Sequence, residues 1–153
     1  MLCIYNIHCK MQDVVCGVML ETTGDENRIL MGMRRDENKV WEFPGGKRHA
    51  GETLEGCLKR EWVEELNLDI NIGRIIHTRI FNGYKCHFFI GTICNLTTMC
   101  ARVHDKVGLF SISAARTLQL FEGDDAVLDS LQLEDISSNL LSSTKVQSIQ
   151  QII

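Results

Sequence analysis

The hydrophobic pattern changes period several times along the chain, and each change predicts an element. Residues 14–21 and 28–34 read as strands, separated at 22–27 by a turn rich in Thr, Gly, Asp and Asn. Asp36-Glu37-Asn38 makes a second polar break before a short apolar segment at 40–43. Residues 53–66 lack Pro and place Leu54, Leu58 and Trp62 at every fourth position, the pattern of an amphipathic helix packed through that stripe. Thr53 stands where a hydroxyl caps the helix start, and Asn67 where a left-handed residue ends it. Apolar segments at 69–79 and 84–95 flank Phe81-Asn82-Gly83, and Asn-Gly is a strong hairpin signal. Residues 107–112 read as a short strand, 113–118 as a helical turn, and 124–131 as a helix capped by Asp124. Strands on both sides of a helix, with mixed connections, predict a layered α/β sandwich.

The pattern weakens at both ends. Residues 1–12 are expected to be an N-terminal extension, 13–131 the folded domain, and 132–153 a tail. The tail is poor in charge and rich in Ser and Gln, and is expected to be flexible or weakly helical; packing on the domain or a partner is the sharper alternative. Composition adds limits. At 153 residues and 44% apolar, the chain can bury one substantial core. A net charge of −4 argues against a nucleic-acid polymer as partner. No stretch approaches the roughly 18 apolar residues of a membrane span, and Met1-Leu2-Cys3-Ile4-Tyr5 lacks the basic and apolar regions of a secretory signal. Seven cysteines, at 3, 9, 16, 57, 86, 94 and 100, form no CxxC pair. They are expected to be buried thiols of a cytoplasmic protein. His8 with Cys9, and His104 with Asp105, are expected to be ordinary surface residues. The oligomeric state stays open, a homodimer included.

The candidate chemistry lies on the predicted helix. Glu61, Glu64 and Glu65 fall within an arc of roughly 100° on a helix turning about 100° per residue. Clustered glutamates usually form a solvated face. Here, however, a glycine-rich segment, Trp41-Glu42-Phe43-Pro44-Gly45-Gly46-Lys47, leads into the helix, and glycines let backbone approach an ion or phosphate closely. Oxygen-only ligation suits Mg²⁺, with Mn²⁺ as a substitute, and such an ion suits a phosphate-bearing substrate. Arg60, one turn before Glu64, is spaced to orient that carboxylate.

Gly46, Glu52, Arg60, Glu61, Glu64 and Glu65 reproduce the signature G-x5-E-x7-R-E-U-x-E-E-x-G-U, with Trp62 and Leu68 at the bulky U positions. The chain thereby resembles the Nudix hydrolases, departing only at Asn67, where the family has Gly. The resemblance implies the Nudix fold, an α/β/α sandwich with a mixed β-sheet and the motif helix packed on it. It also implies Mg²⁺-dependent hydrolysis of a nucleoside diphosphate linked to a further group. Carried over, Glu61, Glu64 and Glu65 would be metal ligands with the Gly45 carbonyl, and Glu61 or Glu64 would assist the attacking water. Glu52 and Arg60 would orient them.

Features outside the motif resemble the MutT-like branch, which cleaves nucleoside triphosphates to monophosphate and pyrophosphate. They are Arg34-Arg35 at the end of the second strand, the Trp41–Lys47 segment, and Phe121-Glu122-Gly123-Asp124-Asp125, where that branch places base-contacting residues. Arg35, Lys47 and Asp124 are therefore candidate substrate contacts, against an exposed arginine for Arg35 and a plain helix cap for Asp124. The substrate expected is a (d)NTP, an oxidised purine among the candidates, as in nucleotide-pool sanitation. The alternatives are a pyrimidine (CTP-like) substrate, a nucleotide sugar or dinucleotide, or a nucleotide-sensing module without catalysis. MutT-like chains often carry a further acidic residue where this one has Val103, and Asp105, through a shifted loop, or a water is the expected substitute.

Overall fold

The computed structural model describes residues 10–131. In order these form β1 (Gln12–Glu21), β2 (Arg28–Met33), β3 (Trp41–Glu42), β4 (Gly45–Lys47), α1 (Leu54–Leu66), β5 (Ile70–Phe81), β6 (Tyr84–Ile93), β7 (Lys106–Ser111), α2 (Ile112–Ala115) and α3 (Asp124–Asp129). The expected tail at 132–153, and Cys3, His8 and Cys9, lie outside the described residues.

The strands join one mixed sheet in the order β3-β2-β1-β6-β5, with β4 on β1 and β7 on β2. β1 and β6 run parallel, Gln12 opposite Tyr84 and Leu20 opposite Thr92. The β5–β6 hairpin turns on Asn82 at φ 47° and Gly83 at φ 81°, two successive left-handed residues of the kind an Asn-Gly turn supplies. Alternation along β1 sends side chains to two cores. Val15 and Met19 join Leu58, Trp62, Leu66 and Phe89 under α1. Val18 and Leu20 join Ile29, Met31, Phe88, Val127 and Leu128 on the other face, under α2 and α3. The expected α/β/α sandwich is thus present, each buried Leu, Val or Phe contributing about 1.5–3 kcal/mol through removal from water.

Helix α1 starts and stops as its sequence predicts. Thr53 accepts a hydrogen bond from the Gly56 amide at 3.0 Å, and Asn67 adopts φ 54°, ψ 42°. Leu58 and Trp62 are fully buried, whereas Leu54 is half-buried at the rim.

Where the apolar pattern is short, the structure differs from expectation. β1 and β2 pair only through Leu20–Ile29 and Glu21–Arg28, and then part. The gap is filled by the short apolar segment and the glycine-rich residues after it: Trp41 and Glu42 pair with β2, and Gly45 to Lys47 pair with β1. Pro44 between them accepts from the Gly17 amide at 2.9 Å and from the Trp62 indole at 3.2 Å. A three-residue strand with two glycines has no alternation to read. At α3 the cap is Gly123, at φ 85°, and Asp124 makes no capping bond. Its carboxylate turns inward instead. Cysteine burial is mixed: Cys57 and Cys86 are buried, Cys16 is half-buried, and Cys94 and Cys100 are exposed at the ends of a surface loop. His104, expected at the surface, is 4% exposed because its ring packs flat over Gly32.

Candidate active site

The wedge of β3 and β4 between β1 and β2 is where the motif residues gather. Gly45 must be glycine: a Cβ there would stand 1.9 Å from the Val15 carbonyl oxygen and 2.7 Å from the Cys16 Cα, so β4 could not approach β1. Gly46 serves α1 instead, since its Cβ would meet the Glu61 carboxylate at 2.4 Å. Backbone and carboxylate are therefore in direct contact where the sequence pattern put both glycines.

Arg60 organises the acidic residues. Its Nε and Nη2 donate to Glu52 at 2.5 and 3.0 Å, its Nη1 to Glu61 at 2.9 Å and to Glu64 at 3.1 Å, and its Nη2 also to the Lys47 carbonyl at 3.2 Å. The guanidinium holds the Glu52 carboxyl well below the usual range, at about 2, helped by the His49 amide. Glu65 lies on the inner side of the helix, with one oxygen buried and unpartnered. Burial pushes its pKa up to about 7, against the opposing influence of His104 and a bond from the Gly45 amide. Glu64 is the outermost of the three, with its side chain 58% exposed.

Among the described residues no three acidic, His or Cys side chains stand together as a ready-made ion cage. The donor set nonetheless fits a hard cation. An unpartnered buried carboxylate oxygen on Glu65 invites one, Glu61 lies against the glycine backbone, and Arg60 occupies charge that an ion would compete for. Glu61, Glu64, Glu65 and the Gly45 carbonyl are the residues that would hold it.

Beside this cluster a cleft of about 260 Å³ runs between the two sides of the wedge. Gly45, Gly46, Lys47 and Glu42 form its motif side; Phe81, Phe88, Phe121, Arg79 and Asp124 form its far side. Lys47 reaches over the Tyr84 ring at 4.7 Å on the rim. Asp124 is 2% exposed, receiving Arg79 Nη2 at 2.9 Å and the Phe43 amide at 3.3 Å. Burial raises its pKa to about 7, although Arg79 pulls the other way. Arg79 lies 5.1 Å from the Phe88 ring centre and 5.6 Å from that of Phe81, with Nε and Nη1 buried and without partners.

A second hollow next to Glu65 is lined by Arg34, Arg35, Asp36, Glu42, Val103 and His104. Arg35 is exposed there, whereas Arg34 is committed to Asp36 and to Glu42 at 3.0 Å. Asp105, the expected substitute for the acid missing at Val103, is exposed. Its carboxylate pairs with Lys39 at 2.9 Å, while His104 before it takes the buried position. His104 Nε2 stands 3.3 Å from Glu42, and its Nδ1 has no partner. Glu42, Arg79 and His104 were not singled out by the sequence pattern. For Arg79 a signal existed: His77, Arg79 and Phe81 share one face of β5 by alternation.

The comparisons agree with this geometry. The chain is 31% identical over 104 residues to the 8-oxo-dGTP diphosphatase of Buchnera aphidicola, covering 65% of this chain and 73% of that protein. It is 34% identical over 83 residues to the CTP pyrophosphohydrolase of Escherichia coli, covering 51% of this chain and 58% of that protein, so the match spans little more than half of the latter. A solved MutT structure, from Aliivibrio salmonicida or Vibrio cholerae, superposes with a TM-score of 0.68 at 23% identity, covering 83% of this chain and 98% of the other, a likeness of fold. The model of the NUDIX domain matches residues 11–107, which hold the wedge, the glycines and the whole of α1. This chain belongs to the NUDIX domain family.

Proposed function

We propose that this Nudix-type hydrolase of phosphoric anhydrides acts on a (d)NTP, releasing a nucleoside monophosphate and pyrophosphate with Mg²⁺. An oxidised purine triphosphate is the favoured substrate and a cytidine triphosphate the second reading. The observation that carries this is the continuity of two surfaces: the aromatic cleft with Arg79 and Asp124 opens onto Gly45–Lys47, the same strand that Glu61 and Glu65 pack against. A base in the cleft would thus bring its phosphates to the carboxylates. When bound, Mg²⁺ supplies charge neutralisation on the phosphates and acidifies its water. The chain's residues do the rest. Glu61, Glu64 and Glu65 hold the ion, while Arg60 and Glu52 keep the carboxylates apart and aimed. Lys47 and Arg35 offer positive charge to the phosphates from either side.

The base reading rests on complementary groups. Arg79 and Asp124 line the cleft as a guanidinium–carboxylate pair, the one a donor to an acceptor on a base edge and the other an acceptor or, protonated, a donor. The second reading has its own support: a carboxylate beside a guanidinium also matches the amino group and ring nitrogen of cytosine. A screen of modified and unmodified (d)NTPs, nucleoside diphosphate sugars and dinucleotides, reading pyrophosphate and monophosphate, decides between them. Glu64→Gln and Glu65→Gln are expected to lose about 100-fold or more in pyrophosphate release with an unchanged circular dichroism spectrum. Undiminished turnover in both would sink the ligand assignment.

A further inference from the structure

A chain of contacts leaves the motif on the side away from the cleft, and neither the carboxylates nor base recognition uses it. It begins at His87 on β6, which is 6% exposed. Phe89, two residues on, belongs to the core under α1, so His87 shares the face that α1 covers. His87 Nε2 stands 2.9 Å from Asp13 Oδ1, and the other oxygen, Oδ2, receives Arg48 Nε at 3.0 Å. The Arg48 amide donates to the Asp13 carbonyl at 2.9 Å, so the residue is tied to β1 through backbone and side chain together. Arg48 Nη1 then donates to the Glu52 carbonyl at 3.0 Å. Glu52 in turn accepts from the His49 amide at 2.8 Å and grips Arg60.

We propose that His87, Asp13 and Arg48 form a positioning relay that fixes the turn between β4 and α1, and through Glu52 and Arg60 sets the aim of Glu61 and Glu64. The inference rests on the reading of those glutamates as metal ligands. Three observations carry it. First, the contacts are continuous from His87 through Asp13, Arg48, Glu52 and Arg60 to Glu61, the link from Arg48 running through the Glu52 backbone carbonyl. Second, a half-buried Asp–Arg pair beside a buried histidine is poor value for stability alone, because packed apolar side chains of similar volume serve as well or better. Third, Arg48 grips the carbonyl of the residue whose carboxylate orients Arg60, so it controls direction and not only attachment. The His87 bond, foremost, and Arg48 hold the Asp13 carboxyl below its ordinary range, so the middle of the relay stays charged at neutral pH.

Without Arg48, the Glu52 carbonyl is released and Arg60 leans on Glu61 and Glu64, withdrawing them from an ion. Groups that orient ligands typically alter metal affinity about 10–100-fold when removed. The test measures Mn²⁺ binding directly, from the free-ion signal in electron paramagnetic resonance, with no nucleotide present. Arg48→Ala is expected to weaken Mn²⁺ binding about tenfold and Asp13→Asn less, with faster amide hydrogen exchange at His49 and Glu52 in both. Arg116→Ala breaks a remote surface ion pair with Asp129 and serves as the stability control, leaving Mn²⁺ binding unchanged. At saturating Mn²⁺ the KM for nucleotide should match wild type in all three. Mn²⁺ affinity within twofold of wild type in Arg48→Ala overturns the relay. Should Arg48→Ala fail to fold, Asp13→Asn decides by the same measurement. Wild-type protein that binds no Mn²⁺ would instead overturn the metal reading itself, which separates the two failures.

Discussion

Asp124 and Glu65 flank the Glu42–Gly45 segment from its two sides, one holding the Phe43 amide and the other the Gly45 amide. Each therefore links a reactive surface to the same stretch of backbone. At this scale the prediction concerns Arg79, which lines the cleft and is paired there with Asp124, its Nε and Nη1 buried. Arg79→Gln should raise the nucleotide KM about 10–100-fold with kcat little changed, since contacts to the base are made equally in ground and transition states. Asp124→Ala should shift relative turnover among bases; equal losses on every base would argue against base reading by this residue. Little of this was legible beforehand. The spacing of Gly46, Glu52, Arg60, Glu61, Glu64 and Glu65 marks the motif because those residues are local, within one turn and one helix. Arg79 with Asp124, and His104 with Glu42, meet partners far away in sequence, so their pairing is not legible from spacing, although alternation places Arg79 on one face of β5 with His77 and Phe81. Asp124 was legible as a residue to watch, and its role as a cap was not the one it has, since Gly123 ends up as the cap and frees the carboxylate to turn inward.

Among the elements, β4 has two successive glycines serving opposite neighbours. Gly45→Ala would drive a Cβ into the backbone of β1, where nothing can yield. It should cost about 2 kcal/mol or more, seen as a lowered midpoint in urea. Gly46→Ala would instead press on the end of the Glu61 side chain, which can swing aside. Its unfolding free energy should change by less than about 1 kcal/mol while pyrophosphate release falls about tenfold or more. The opposite ordering of the two variants would mean that Glu61 does not depend on this contact. Helix α1 and the β5–β6 hairpin were readable from periodicity, a capping hydroxyl and an Asn-Gly turn. The parting of β1 and β2 was not, because it is decided by what fills the gap.

For the whole molecule, burial sets the direction of pH dependence. Glu65 and Asp124 have pKa values raised to about 7 from 4.5 and 3.8, so between those limits the folded chain binds more protons than the unfolded one. Stability then falls as pH rises through about 7, by roughly 1 kcal/mol per group between pH 6 and 8. Asp13, Glu21 and Glu52 are shifted the other way, and their contribution is lost only as pH drops below about 4. Metal-free protein in EDTA is therefore expected to melt several degrees higher at pH 6 than at pH 8. Asp124→Asn should reduce that difference by about half, and an equal or higher Tm at pH 8 in the native chain would contradict the assignment. No helix among the described residues is long and apolar enough to cross a membrane.

The parallel pairing of β1 with β6 also governs how the molecule assembles. The β5–β6 hairpin closes on a two-residue turn and can form in microseconds. β1 finds its partner only after the whole intervening motif and hairpin exist, Gln12 waiting for Tyr84. Until then Val15, Val18, Met19 and Leu20 have only the short pairings of β1 with β2 and β4, and both cores lack the wall that β6 supplies. Refolding should therefore be slowed and made concentration-sensitive by this one late-closing strand, while damage to the glutamates leaves its rate untouched.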